Sequence, residues 1–323
     1  MVNIGIIGAG KRYRQFYKNI IESLNHKVNI VGFVTKSGNI ADDIGNYKVY
    51  KNITELCNDN KPNFLISVTP FHLNTSMILE ACKNKCNILV ETPVGKIDDA
   101  PMVLDEISKS GIKAGSVEQW PFLPMECFKK KLIDNGLLGE VYLAENDYRT
   151  YTYHGVAQLR NYLGKDVNFS EIKGKIVKNY PLNKENDTWT ITIAELENGK
   201  TLLYKYSDKY KRVDVRNFKS IRVYGSKGTI VSDCILDNEI EKFSIIWDDG
   251  NTYHLDINKV YENSNIKEIS TVLPDNSIIK WENKFNKYSF EEHQIAIAHH
   301  IDSMINGNVL WSVEDGFKDL QII

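Results

Sequence analysis

The chain has 323 residues, 42% hydrophobic and 25% charged, with a formal net charge of -2 at pH 7, a composition that excludes a disordered, collagen-like or membrane-embedded class. A near-zero charge leaves no global field to recruit nucleic acid or an anionic membrane, so the expected partners are small molecules or further copies of the chain. At roughly 100–200 residues per domain, the length predicts about two domains, each able to bury its own core. Five scattered cysteines, Cys57, Cys82, Cys86, Cys127 and Cys234, predict reduced thiols and a cytoplasmic location rather than a disulfide framework. Cys82 and Cys86 stand four apart, close enough to share a helix face, yet they lack a second ligand pair and read as packing. No apolar run approaches the roughly 18 residues of a spanning helix, and no signal peptide is expected.

The first third alternates strand and helix signals. Val2 to Ile7 is an apolar run ending in Gly8-Ala9-Gly10, and a basic segment follows with helical periodicity to Leu24. Further strands are predicted at Val28 to Val34, Tyr47 to Tyr50, Phe64 to Val68, Ile88 to Val90 and Ile112 to Val117. Helices are predicted at Ile53 to Cys57, Leu73 to Lys83 and Asp98 to Ser110. Short apolar strands alternating with helices imply an α/β fold, a parallel sheet wound on both faces in the manner of a Rossmann dinucleotide-binding domain. After Trp120 the texture changes. A helix from Met125 to Asn135 leads into long alternating strands, Val141 to Arg149, Glu171 to Tyr180, Trp189 to Leu196 and Thr201 to Tyr206. Asn198-Gly199 predicts a type I′ hairpin, Ile221 to Ile230 a glycine-turned strand pair, and Glu291 to Ile305 a closing helix. The expected domains are therefore 1–120, Rossmann, and 121–323, an α+β substrate and oligomerisation domain built on one large antiparallel sheet.

Gly8 permits a tight turn and Gly10 lets backbone approach a pyrophosphate at the positive end of the following helix. The third glycine of the fingerprint is replaced by Tyr13. Lys11 and Arg12 oppose the helix dipole, which calls for an anionic neighbour. After the second strand, Thr35-Lys36-Ser37 offers no acid to repel a 2′-phosphate and a lysine to attract one, which predicts NADP over NAD.

Together with Val68-Thr69-Pro70-Phe71-His72, Val90-Glu91-Thr92-Pro93, Phe122-Leu123-Pro124, Gly139-Glu140-Val141 and Val223-Tyr224-Gly225-Ser226-Lys227-Gly228-Thr229, the glycine pair resembles the glucose-fructose oxidoreductase / inositol dehydrogenase / MocA (Gfo/Idh/MocA) family along the whole chain. The resemblance implies hydride transfer between a nicotinamide and a sugar, polyol or imine. It places Thr69, Pro70, His72, Glu91, Thr92 and Gln119 beside the cofactor, with His72 capping a helix or touching the cofactor. Two family groups are replaced: Thr92 stands for a lysine and Thr150 for an aspartate. His154 matches the family's catalytic histidine, ten residues before Gly164. Read by itself, His154 opens a helix whose N-terminus favours a neutral ring able to accept a proton, flanked by Tyr151 and Tyr153; a structural role is the other reading of a histidine in that position. His293, His299 and His300 have no metal-ligand spacing and read as solvated or packing, and no metal site is expected. Lys205 to Arg216, interrupted by Asp208 and Asp214, reads as a solvated strand edge. An outer sheet face with too few helices to cover it predicts a homodimer or homotetramer. The alternative to an enzyme is a nucleotide-binding sensor or scaffold that has lost catalysis.

Overall fold

A computed structural model describes residues 1–147, 150, 152–182, 185–207, 218–235, 238–262 and 264–323, at 178–182, 185–187, 218 and 235 by backbone alone. Arg149, Tyr151, Asp208, Asp214 and Arg216 lie outside the described residues. The chain forms two compact units, Met1–Gln119 with Lys287–Lys318, and Trp120–Asn286 with Asp319–Ile323.

In the first unit, β1 (Val2–Ile7), β2 (Val28–Val34), β3 (Val49–Tyr50), β4 (Phe64–Ser67), β5 (Asn87–Val90) and β6 (Ala114–Ser116) lie parallel in the order β3-β2-β1-β4-β5-β6. Both faces are covered, so Ile4, Ile6, Leu65, Ile66 and Ile88 are fully buried, which is why these strands read as unbroken apolar runs. The connecting helices are α1 (Lys18–Ser23), α2 (Ile53–Asn60), α3 (Asn74–Lys83) and α4 (Ala100–Ser110). Asn52 caps α2 by accepting from the Glu55 amide at 2.8 Å. A π-helical turn, Tyr13–Tyr17, precedes α1.

In the second unit, α5 (Pro124–Asp134) and α6 (Thr152–Leu163) accompany an eight-stranded sheet. Its strands are β7 (Val141–Asp147), β8 (Phe169–Leu182), β9 (Glu185–Leu196), β10 (Thr201–Ser207), β11 (Phe218–Gly225), β12 (Gly228–Ile235), β13 (Asn238–Ile246) and β14 (Thr252–Leu255), in the order β14-β13-β12-β11-β7-β10-β9-β8. Neighbours are antiparallel except β7 and β10. The intervening α6 and the β8–β9 hairpin act as the crossover that a parallel pair requires. A separate antiparallel sheet contains β15 (Asn258–Glu262), β16 (Asn265–Val272) and β17 (Ile278–Glu282). The expected single antiparallel sheet is thus two sheets, the larger of them mixed.

Two further expectations change. The Asn198-Gly199 turn is not type I′, because only Gly199 takes positive φ, +77°. Leu196 donates to the Lys200 carbonyl at 2.9 Å and Gly199 to that of Leu196 at 2.8 Å, a three-residue loop with glycine in the left-handed position. The boundary near residue 120 is also joined by a return of the chain. α7 (Glu292–Ile305) buries Ile295, Ala296, Ile297, Ala298 and Ile301 completely, a width of apolar surface that solvent would not tolerate. It lies within the first unit. There the Ser116 amide at the end of β6 donates to the Trp311 carbonyl at 2.7 Å, and α8 (Val313–Leu320), rather than α7, ends the run of helices. No described helix is long and apolar enough to cross a membrane.

Candidate functional site

In an open parallel sheet, ligands bind beyond the carboxyl ends of the strands, at the point where strand order reverses. Here the reversal lies between β1 and β4, and the predicted cofactor residues follow the carboxyl ends of β1 (Gly8 to Tyr13), β2 (Thr35 to Ser37), β4 (Thr69 to His72), β5 (Glu91, Thr92) and β6 (Gln119). Gly8 has φ +91°, and a side chain there would meet the Val68 carbonyl at 3.3 Å and Thr69 Cγ2 at 3.4 Å. At Gly10 a Cβ would meet nothing within 4 Å. A strained turn followed by open space at a helix start is the cradle a pyrophosphate needs, so these residues fit a dinucleotide.

The side chains around this cradle sort themselves. Arg12 finds its anionic neighbour in Glu91, with Nε to Oε1 at 2.7 Å, and Tyr17 donates to the same oxygen at 2.6 Å. Burial and the adjacent carboxylate hold the Tyr17 phenol well above its ordinary pKa. The guanidinium therefore ties the glycine turn to the end of β5. Lys11 is exposed. Tyr13 is buried, its ring edge-on to Phe33 at 5.3 Å, so it fills core where the third glycine would leave room. Thr35 and Ser37 both donate to the Asn39 carbonyl, at 3.0 and 3.2 Å, and Lys36 between them is exposed. His72 is exposed, with its ring 6.0 Å from that of Phe71. It does not cap α3, which has no side-chain cap.

Asn74, which no sequence signal singled out, is fully buried and donates to the carbonyls of Glu91 at 2.7 Å and Pro93 at 2.8 Å. It clamps both sides of half-buried Thr92, across the cis Thr92–Pro93 bond. Gln119 is buried and its Oε1 lies 3.0 Å from His293 Nδ1, while buried His300 lies 2.7 Å from the Glu118 carbonyl through Nε2. Two of the three C-terminal histidines thus bond the segment after β6 instead of facing solvent. Burial lowers the His300 pKa to about 4. Cys86 lies beyond the end of α3 and so shares no helix face with Cys82; its thiol donates to the Pro62 carbonyl at 3.4 Å. Among the described residues no group of three or more His, Cys, Asp or Glu is placed to hold a metal.

In the second unit, His154 stands in the first turn of α6, buried, with its ring 4.3 Å from that of Tyr153 and 6.0 Å from that of Trp120. That turn is pinned from several sides. Tyr204 donates to the Thr152 carbonyl at 2.8 Å, and Asn146 exchanges two 2.9 Å bonds with the Thr150 backbone. Gly155 is required by close approach, since a Cβ there would lie 2.7 Å from the Thr150 carbonyl and 2.8 Å from the Tyr204 ring. Thr152 takes φ +47°, a left-handed conformation that costs a β-branched residue about 1–3 kcal/mol and persists only where its surroundings impose it.

Thr150 is fully buried and its hydroxyl donates to Gln158 at 2.7 Å. From there the polar contacts continue inward. Gln158 and Tyr162 bond Glu126, Lys129 donates to Glu126 at 2.9 Å and to Glu241 at 3.3 Å, and Ser232 donates to Glu241. Burial alone would push Lys129 down and Glu126 up, but the pairing reverses both, raising the lysine and lowering the carboxyl. Thr150, which the sequence resemblance sets at the family's aspartate position, is therefore the outer end of a buried structural network whose carboxylates, Glu126 and Glu241, lie further in. Beyond Lys205, which bonds Asp147 at 2.6 Å, most of the basic run lies outside the described residues.

Residues 2–115 match the family described as an oxidoreductase family with an NAD-binding Rossmann fold (GFO_IDH_MocA). An uncharacterised protein of Saccharomyces cerevisiae, YMR315W, is 22% identical over 268 residues, 72% of this chain and 74% of that one. Among solved structures, the WlbA dehydrogenase of Bordetella pertussis in complex with NADH and UDP-GlcNAcA superposes with a TM-score of 0.66 at 13% identity, covering 99% of this chain and 93% of its own. Levoglucosan dehydrogenase with NADH and levoglucosan gives 0.67 at 14% identity, covering 99% and 95%. These likenesses extend the shared fold through the second unit.

Proposed function

Because residues 2–115 belong to the Gfo/Idh/MocA oxidoreductase family with its NAD-binding Rossmann fold, we propose that the chain, an NAD-binding oxidoreductase, transfers a hydride between the nicotinamide and a small sugar, polyol or imine, with His154 as the acid/base. The observation that carries this reading is the buried His154 in a turn pinned by Tyr204 and Asn146, where Thr152 is held at positive φ. Sugar-type ligands in the WlbA and levoglucosan dehydrogenase structures support the substrate class.

The cofactor supplies the hydride; this chain's residues bind and orient it and move a proton. The Gly8 to Gly10 turn would hold the pyrophosphate, and the Arg12–Glu91 pair keeps that turn in place. Lys36 supplies the charge that favours a 2′-phosphate, so NADPH should bind more tightly than NADH. Thr92 can orient a reacting group but carries no charge, which favours substrates that bring their own polarisation, such as imines, over simple alcohols. Ile172, Ile176, Ile191 and Ile193 on β8 and β9 are 38–55% exposed, and this apolar surface supports a homodimer or homotetramer through the large sheet. Reduced thiols suit a cytoplasmic location.

The test is a screen of polyols, sugars, keto-sugars and cyclic imines for nicotinamide absorbance change, with NADPH and NADH titrated by fluorescence. Turnover of one such class, with NADPH preferred and Lys36→Ala narrowing the gap, is the expected result. Tight cofactor binding with no turnover across the screen would move the chain to the sensor or scaffold reading.

A further inference from the structure

The segment that opens α7 comes far downstream of the Rossmann strands, with His293 174 residues beyond Gln119, yet it bonds both flanks of the cofactor cradle. Gln294 donates to the Gln15 carbonyl at 3.3 Å, and Asn19 donates to the Ser289 carbonyl at 3.2 Å. Glu291 and Gln294 form a capping box that fixes the first turn of α7. In that turn His293 Nδ1 meets Gln119 Oε1 at 3.0 Å. Gln119 is only 6% exposed, so its amide has little water to turn toward. With its oxygen taken by the imidazole, its two N–H groups remain as donors, and neither has a partner among the described residues.

The strand order assigns what those donors face. In a 3-2-1-4-5-6 sheet the adenosine half of a dinucleotide lies over β1 to β3 and the nicotinamide half over β4 to β6. Gln119 follows β6. Of the acceptors on that half, the ribose oxygens are shared with ADP-ribose, and the carboxamide oxygen belongs to the nicotinamide itself. On the reading that this unit binds a dinucleotide, we propose that His293 is a positioning residue for the nicotinamide: it holds the Gln119 amide by its oxygen so that the N–H groups donate to the carboxamide. The histidine does not touch the cofactor and acts only through Gln119.

Binding of NADH and of ADP-ribose, which shares every part of the cofactor except the nicotinamide, separates this role from general support of the fold. His293→Leu keeps much of the side-chain volume and removes the donor; His293→Asn returns an amide N–H near the place of Nδ1. In calorimetric titrations of the intact chain, His293→Leu should weaken NADH by about tenfold, the worth of one well-placed hydrogen bond, and leave ADP-ribose within about twofold. His293→Asn should restore NADH to within about threefold of the unmutated chain. Equal weakening of both ligands, or no weakening of either, overturns the assignment, because then His293 supports the cradle as a whole or not at all. If the unmutated chain binds neither ligand, the dinucleotide reading falls and this inference falls with it.

Discussion

Thr92 and Thr150, which the sequence resemblance sets at the family's lysine and aspartate positions, have different surroundings. Around Thr92 the backbone of the loop is kept: Asn74 clamps the carbonyls of Glu91 and Pro93, and Glu91 still receives Arg12 and Tyr17. Half-buried Thr92 follows the carboxyl end of β5 with a hydroxyl and no charge. Around Thr150 the hydroxyl has been drawn into the interior, bonded to Gln158 at the end of a chain of contacts that reaches Lys129 and Glu241. Thr92 thus sits in a clamped loop, whereas Thr150 lends its hydroxyl to a structural network.

That contrast can be broken at its structural end most severely through Lys129, which is 1% exposed between two carboxylates. Lys129→Met should destabilise the second unit by about 3–5 kcal/mol, because it strands Glu126 and Glu241 without their counter-charge. The measurement is urea unfolding at neutral pH. The deficit should shrink as the pH falls and the stranded carboxylates take up protons; a deficit under about 1 kcal/mol would mean that the network is not the structural element described here.

The first unit has its own buried titrating group in His300. Its pKa in the fold, about 4, lies below the ordinary 6.5, so between those values the unfolded chain accepts a proton that the folded chain refuses. Stability should be independent of this group above about pH 6.5, fall by about 3 kcal/mol as the pH drops to about 4, and lose no more to it below that. Comparison with His300→Gln across the same range isolates the effect, since other groups titrate alike in both proteins.

Smaller effects test the two threonine surroundings directly. Asn74→Ala leaves two buried carbonyls unsatisfied and should cost about 2 kcal/mol, with a weaker grip on the dinucleotide. Thr150→Ala removes one hydroxyl from the network and should cost about 1 kcal/mol in unfolding experiments, with cofactor affinity unchanged. If Thr150→Ala instead altered cofactor affinity and left stability alone, the assignments of the two positions would have to be exchanged.

What the amino-acid sequence made legible follows from the physics of each unit. Strands buried on both faces appear as apolar runs, so β1 to β6 and the loops at their carboxyl ends were readable in order, and the glycine pair with them. Asn74 was not, because a buried asparagine leaves no periodic mark and its partners are backbone carbonyls 17 and 19 residues away. The partners of His293 and His300 leave no local mark for a similar reason: Gln119 and the Glu118 carbonyl are 174 and 182 residues distant. Tyr13 was placed beside the cofactor by its position in the fingerprint, whereas its ring packs on Phe33. In the second unit strand alternation was visible, but the division into two sheets and the parallel β7–β10 pair depend on long-range pairing that no local pattern encodes.

The central claim is that the first unit holds the cofactor without help from His154, while the chemistry depends on it. Once the screen has supplied a substrate, NADPH affinity and turnover are measured side by side for the unmutated chain and His154→Ala. The expected result is affinity within about twofold and turnover lower by on the order of 100-fold or more. Full turnover in His154→Ala would contradict it and send the proton transfer elsewhere, to a flanking tyrosine, Tyr151 or Tyr153.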